Sequence, residues 1–101
     1  MDDYVLKLGD IVKSLAGRDS GNDRYYIVMK IDEPYIWTCD GNLHKVDKLK
    51  KKKIKHAKHM DFQSEYIKNK LMNAEKITNS EIRRELEEFV EKMLKGGCDD
   101  A

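Results

Sequence analysis

Two clusters of side chains in this sequence could do chemistry, and both suit a phosphate polyanion. The first is the loop AGRDSGND (16–23), closed by Arg24. Gly17 and Gly21 let the backbone approach a partner closely and present N–H groups. Arg18 and Arg24 flank them with guanidinium groups shaped for bidentate phosphate contact or for stacking on a base. The second cluster is a run of eight lysines, Lys45, Lys48, Lys50, Lys51, Lys52, Lys53, Lys55 and Lys58, within fourteen positions. Charges that dense repel one another. A polyanion relieves that repulsion, and counterion release supplies affinity. Lysines position a partner rather than read its sequence. Taken alone, the loop is equally a turn whose glycines serve geometry, and a lysine run is more often just a solvated face.

The charge balance favours the binding reading. The whole chain of 101 residues is nearly neutral at +1, but residues 1–59 carry 13 Lys and Arg against 9 Asp and Glu, and residues 60–101 carry 7 against 10. Such asymmetry assigns a polyanionic partner to the first part.

Catalysis and metal chemistry find little support. Ser14 and Ser20 have no His/Asp partners in view, the glycines form neither a P-loop nor a dinucleotide fingerprint, and Glu85, Glu87, Glu88 and Glu91 read as solvent-facing helix residues. The three histidines, His44, His56 and His59, stand among lysines that would repel a cation. No enzyme activity, metal or cofactor is expected. Cys39 and Cys98 fit no metal or redox spacing, which suits a reduced, cytoplasmic setting. No apolar run approaches a membrane span, and the first residues lack an export signal.

Stepping outward from these clusters, the elements that must position them are short. Ile11 and Val12 begin a strand, Tyr25–Ile31 forms a second and Tyr35–Cys39 a third. Asp32-Glu33-Pro34 is a turn and Asp40-Gly41 a hairpin signal. Leu43–Val46 is expected to return from it, and Lys53–Lys58 to form a last, basic strand. Period-2 alternation puts Tyr35, Trp37 and Cys39 on one face, with Trp37 expected to be buried. His56 shares a face with Ile54 and is expected to pack, and His59 to be exposed. From residue 60 the period changes. Phe62, Tyr66, Ile67, Leu71 and Ala74 suggest a helix over 62–74. Thr78 and Glu81 form a capping box, Ile77 and Ile82 a hydrophobic staple, and Ile82, Leu86, Phe89, Val90 and Met93 an apolar stripe, predicting a helix over 79–95 ended by Gly96-Gly97. Glu88 with Lys92 and Glu91 with Lys95 are i,i+4 pairs.

The stretch GDIVKSLAGRDSGNDRYYIVMKID (9–32) resembles the KOW motif. It looks most like the KOW segment of archaeal and eukaryotic large-subunit ribosomal proteins and of short bacterial proteins with the same module. Lys13, Ser14, Ala16, Gly17, Arg18, Asp19 and Gly21 stand in the places of that family's core, and the resemblance continues through Asp40-Gly41 and the lysines to cover roughly residues 5–59. Asn22-Asp23 depart from it, standing where the family often has a basic residue. Five short strands at close spacing, together with the resemblance, imply an SH3-like β-barrel over 1–59; the helical periodicity adds a two-helix extension over 60–95 forming a helical hairpin, and an acidic tail follows over 96–101, an α+β fold in all. The resemblance also implies binding of structured RNA, ribosomal RNA first, in a bacterial or archaeal cytoplasm. The residues expected to touch RNA are Lys13, Ser14, Gly17, Arg18, Asp19, Gly21, Arg24, Lys50, Lys51, Lys52, Lys53, Lys55, Lys58 and His59. The competing expectation is a protein-interaction module using the barrel and the helix at 79–95 to recruit a partner. A transcription-elongation factor ranks third.

Overall fold

The computed structural model describes residues 5–14 and 25–99, apart from the side chains of Ser14 and 95–99. Its strands are β1 (Asp10–Ser14), β2 (Tyr25–Asp32), β3 (Tyr35–Cys39), β4 (Lys50–Lys53) and β5 (Ala57–Gln63), followed by helices α1 (Glu65–Met72) and α2 (Asn79–Asp99). A single 3-10 turn, Ile54–His56, joins β4 to β5. All pairings are antiparallel, in the order β4-β3-β2-β1-β5. The fold is therefore α+β, as expected, but the sheet is not closed into a barrel: β4 and β5 remain its two edges.

The sheet nevertheless coils strongly, and chain geometry requires it. A flat sheet of five strands would separate its edge strands by about 19 Å. Only four Cα–Cα steps lead from Lys53 to Ala57, which span at most about 15 Å. Coiling creates an inner face packed with Leu6, Val12, Tyr26, Val28 and Ile36, joined by Ile31, Ile54 and Ala57. The outer face carries Ile11, Ile27 and Cys39, which pack against Ile67 of α1, Ile77, and Ile82, Leu86 and Phe89 of α2. Both faces of β2 are thus covered, so Tyr26, Ile27 and Val28 are buried in succession.

The helices form for reasons legible in their first turns. Thr78 Oγ1 accepts from the Glu81 amide (3.2 Å) and Glu81 Oε1 accepts from the Thr78 amide (2.9 Å), completing the capping box. Ile77 and Ile82, the staple pair, both lie in the core. Ser64 caps α1 by accepting from the Ile67 amide and donates to Glu85 of α2 (2.7 Å). Phe62, expected on the first helix, belongs to β5, which runs on to Gln63. Gly96-Gly97 does not end α2, which continues to Asp99.

The connection from β3 to β4 also departs from expectation. Leu43–Val46 is not a strand. Asp40 Oδ1 accepts from the amides of Asn42 and His44 (both 2.9 Å), folding the chain into a side-chain-supported turn. The start of α2 then pins this segment: Arg83 Nη1 donates to the Gly41 carbonyl (2.7 Å) and Asn79 Oδ1 accepts from the Val46 amide (2.8 Å). Gly41 has φ +79°, and a Cβ there would meet the Asn79 carbonyl oxygen at 2.7 Å and Arg83 Cγ at 2.8 Å. Only glycine fits so close an approach. This clamp sets where β4 joins the sheet.

Candidate nucleic-acid interface

β4 is four lysines at the free edge of the sheet. It has no apolar residue of its own and is a strand because it pairs with β3: Lys50 lies opposite Thr38, Lys51 opposite Trp37, Lys52 opposite Ile36 and Lys53 opposite Tyr35. Alternation therefore divides the lysines between the two faces. Lys52 turns to the inner side, half-buried, its ammonium 4.9 Å from the Tyr26 ring centroid. Lys51 and Lys53 project on the outer side with Trp37 and Tyr35. Lys55 and Lys58, further along, are exposed. Among the described residues, Lys50, Lys51, Lys53, Lys55 and Lys58 form no ion pair; the pairs present involve His59, Lys70 and Arg84.

The expected basic strand over 53–58 does not exist as one strand. The chain turns at Ile54–His56, where the Ile54 amide donates to the Pro34 carbonyl (2.9 Å), and β5 starts afresh at Ala57. His56, expected to pack, is exposed in that turn. Lys13 lies opposite both Tyr25 and Lys58. Lys13 and Lys58 are thus neighbours near the ends of the 15–24 segment, whereas Lys50–Lys53 lie at the opposite edge. Gly17, Arg18, Asp19, Gly21 and Arg24 lie outside the described residues, and so does the side chain of Ser14.

His59, expected to be exposed, has a side chain only 17% exposed. Its Nε2 lies 3.8 Å from Asp10 Oδ2, and its Nδ1 accepts from the Asp61 amide at 3.2 Å. Two carboxylates beside the ring make this a poor phosphate contact.

Trp37 also departs from expectation: it is half-buried and joins neither core cluster. Cys39, on the same face two residues on, is covered by the helices, and burial, with the neighbouring Asp40 charge, pushes its thiol up to about 12. Trp37 and Tyr35 lie outside that cluster. Instead the Lys30 ammonium stands 4.9 Å from the Trp37 ring centroid, and the Lys51 ammonium 4.2 Å from Tyr35 and 5.8 Å from Trp37. Sequence alternation alone would turn Lys30 inward with Val28. A bulge between Val28 and Lys30 shifts the register, so Lys30 lies opposite Trp37 on the outer face. The outcome is a row, Lys30–Trp37–Lys51, across three strands, with Asp32, Tyr35 and Lys53 forming the next row.

Away from this face, α1 and α2 meet through a polar hub. Glu81 accepts from Lys70 Nζ (2.6 Å), from the Tyr66 hydroxyl and from the Thr78 amide, and together these hold its carboxyl down to about 2. Among the described residues no cluster of His, Cys, Asp and Glu could hold a metal ion, and no helix is long and apolar enough to cross a membrane. No protein-family model matches the chain, and no curated protein matches it.

Proposed function

We propose that this protein is a non-catalytic RNA-binding module of the KOW type that grips structured RNA, ribosomal RNA first, through its phosphates. The observation that carries this reading is the edge strand β4 with its continuation: five exposed lysines, Lys50, Lys51, Lys53, Lys55 and Lys58, with no carboxylate partner among the described residues. Lys50, Lys51 and Lys53 on one edge of the sheet, with Lys55 and Lys58 beyond the turn that joins it to the other edge, can each neutralise a phosphate without giving up an ion pair. The small coiled antiparallel sheet supports the SH3-like reading of the strand region, in an opened form. In this reading the 15–24 loop adds a second contact, with Arg18 and Arg24 on phosphates and Gly17 and Gly21 allowing close approach. Recognition is by shape and backbone, in a cytoplasmic setting.

The test is sedimentation of native lysate through a sucrose gradient, probing fractions before and after a high-salt wash. Co-migration with ribosomal subunits is expected, together with loss of gel-shift binding to ribosomal RNA in the variant K51E/K53E/K55E. These three side chains are exposed, so the variant should keep its circular dichroism spectrum and melting transition. Retained affinity at moderate salt would overturn the assignment.

One observation favours a protein-interaction reading: an open groove between α2 and residues 40–43, lined by Tyr25, Leu43, Leu86 and Val90 and rimmed by Arg83, Glu87 and Glu91. The apolar stripe of α2 is mostly unavailable for this purpose, since Ile82, Leu86 and Phe89 are buried against the sheet. Sedimentation only at the top of the gradient, with salt-tolerant capture of a protein, would favour that reading.

A further inference from the structure

We propose that Trp37, seconded by Tyr35, is a stacking site for unpaired RNA bases, with Lys30 and Lys51 holding the phosphates on either side. The inference rests on the RNA-binding reading and adds what kind of RNA the face takes: a single strand, a bulge or a splayed loop rather than continuous duplex.

Three observations carry it. First, both rings lie on the outer face of the sheet, half-buried and outside the hydrophobic cluster that seals the same face at Cys39. A tryptophan that a small core could have used is left partly open to solvent. Second, the ring is bracketed by cations from both neighbouring strands, Lys30 on β2 and Lys51 on β4. An aromatic platform with a lysine on either side is what a base with its flanking phosphates requires. Third, the bracket depends on the β2 bulge. Without the extra residue, Lys30 would point to the inner face and Trp37 would keep a cation on one side only.

The exchange on binding is physically balanced. In the unbound protein the ammonium groups interact with the ring faces, which at an exposed site is a weak attraction. A nucleobase displaces them from the ring and gives them phosphates to pair with instead. Trp37 and Tyr35, two residues apart on one strand, are separated by about 6.6 Å, room for one base on each. Asp32 lies opposite Tyr35 on the same face, so a carboxylate stands beside the second ring, and Trp37 is the stronger platform.

Trp37 is the only tryptophan of the chain, so its emission reports on this ring alone. The full chain is titrated at moderate salt with a single-stranded oligoadenylate decamer and, separately, with a blunt RNA duplex, following both tryptophan emission and the anisotropy of labelled RNA. The decamer should quench the emission saturably and the duplex should not. W37A should weaken decamer binding about 5- to 150-fold, the range expected for loss of a stacked base. W37F should weaken it less, and neither should alter duplex affinity; melting curves of W37F confirm that the fold persists. If the decamer binds with unchanged emission, or binds W37A as well as the parent, the stacking site is overturned while lysine-mediated RNA binding stands. Equal quenching by duplex would also overturn it. If neither RNA binds, the RNA reading itself fails and the stacking site falls with it.

Discussion

Neutralising the edge lysines should flatten the salt dependence of RNA binding by an amount that can be worked out beforehand. Lys50, Lys51, Lys53 and Lys55 are exposed and have no carboxylate partner among the described residues, so each can give its whole charge to a phosphate. Each phosphate contact on a single strand contributes roughly 0.7 to the slope of log affinity against log salt. Changing all four lysines to Gln should therefore lower the slope by about 3. Between about 50 and 200 mM salt, that amounts to about 50-fold less loss of affinity than the parent protein shows. The assay is anisotropy of a labelled RNA over that salt range. Stability should hardly move: exposed substitutions cost within about 0.5 kcal/mol each, and Lys51 gives up a surface cation–π contact of roughly 0.5–1 kcal/mol. An unchanged slope in a folded variant would refute the assignment of these four side chains to phosphate.

Three further outcomes test how the scaffold is held. Glu81, held down to about 2 by Lys70, Tyr66 and the Thr78 amide, sits well below the ordinary carboxylate value of about 4.3. Its stabilisation is therefore present above about pH 4.3 and is lost as pH falls towards 2. E81Q should melt lower than the parent at pH 7, with the difference shrinking as pH falls from about 4.3 towards 2, and a difference that does not change with pH would refute the hub. G41A forces a Cβ into the Asn79 carbonyl and Arg83 Cγ at a positive φ, and should cost roughly 2–3 kcal/mol, lowering Tm by about 10–20 °C; a drop of under about 3 °C would show that the clamp yields. Thr38 Oγ1 is fully buried and finds no hydrogen-bond partner among the described residues, so T38V, of nearly the same shape, should raise Tm by about 4–8 °C. A lower Tm would mean that the hydroxyl is satisfied.

What could be read in the sequence was whatever a local signal specified. β2 and β3 follow from β-branched and aromatic runs, and α2 from a capping box and staple that form as their spacing implies. β4 could not be read, because KKKK has no apolar period; its strand character comes from pairing with β3, a nonlocal cause. Leu43–Val46 looked like the returning strand because Asp40-Gly41 resembles a tight hairpin turn. Instead Asp40 uses its carboxylate on the amides of Asn42 and His44, and ten residues (40–49) separate β3 from the returning strand β4. Trp37 shows the limit of alternation: it grouped Trp37 correctly with Tyr35 and Cys39, but did not show that the core cluster on that face takes in Cys39 and leaves Trp37 out. The bulge that turns Lys30 outward left no mark in β2, whose residues run without glycine or proline.

A lysine-rich edge strand has a reason to exist without any RNA, since charge on an edge prevents pairing with a second sheet. That explanation reaches Lys50–Lys53 but not the rest of the surface. Lys55 lies in the turn after β4, outside either edge strand, and Lys30 belongs to β2, a central strand with no edge to defend. The two causes also differ in the sign they need. Edge protection works with charge of either sign, so glutamates at 51, 53 and 55 would still keep sheets apart. Phosphate binding needs positive charge alone. A charge-reversed protein that stays monomeric and folded but no longer holds RNA therefore separates the two demands. Lys30 sharpens the argument further: its outward position depends on a register shift inside the sheet, and what it gains there is contact with Trp37. A solvated lysine could have been had without the bulge. A cation on the second side of a half-buried tryptophan could not.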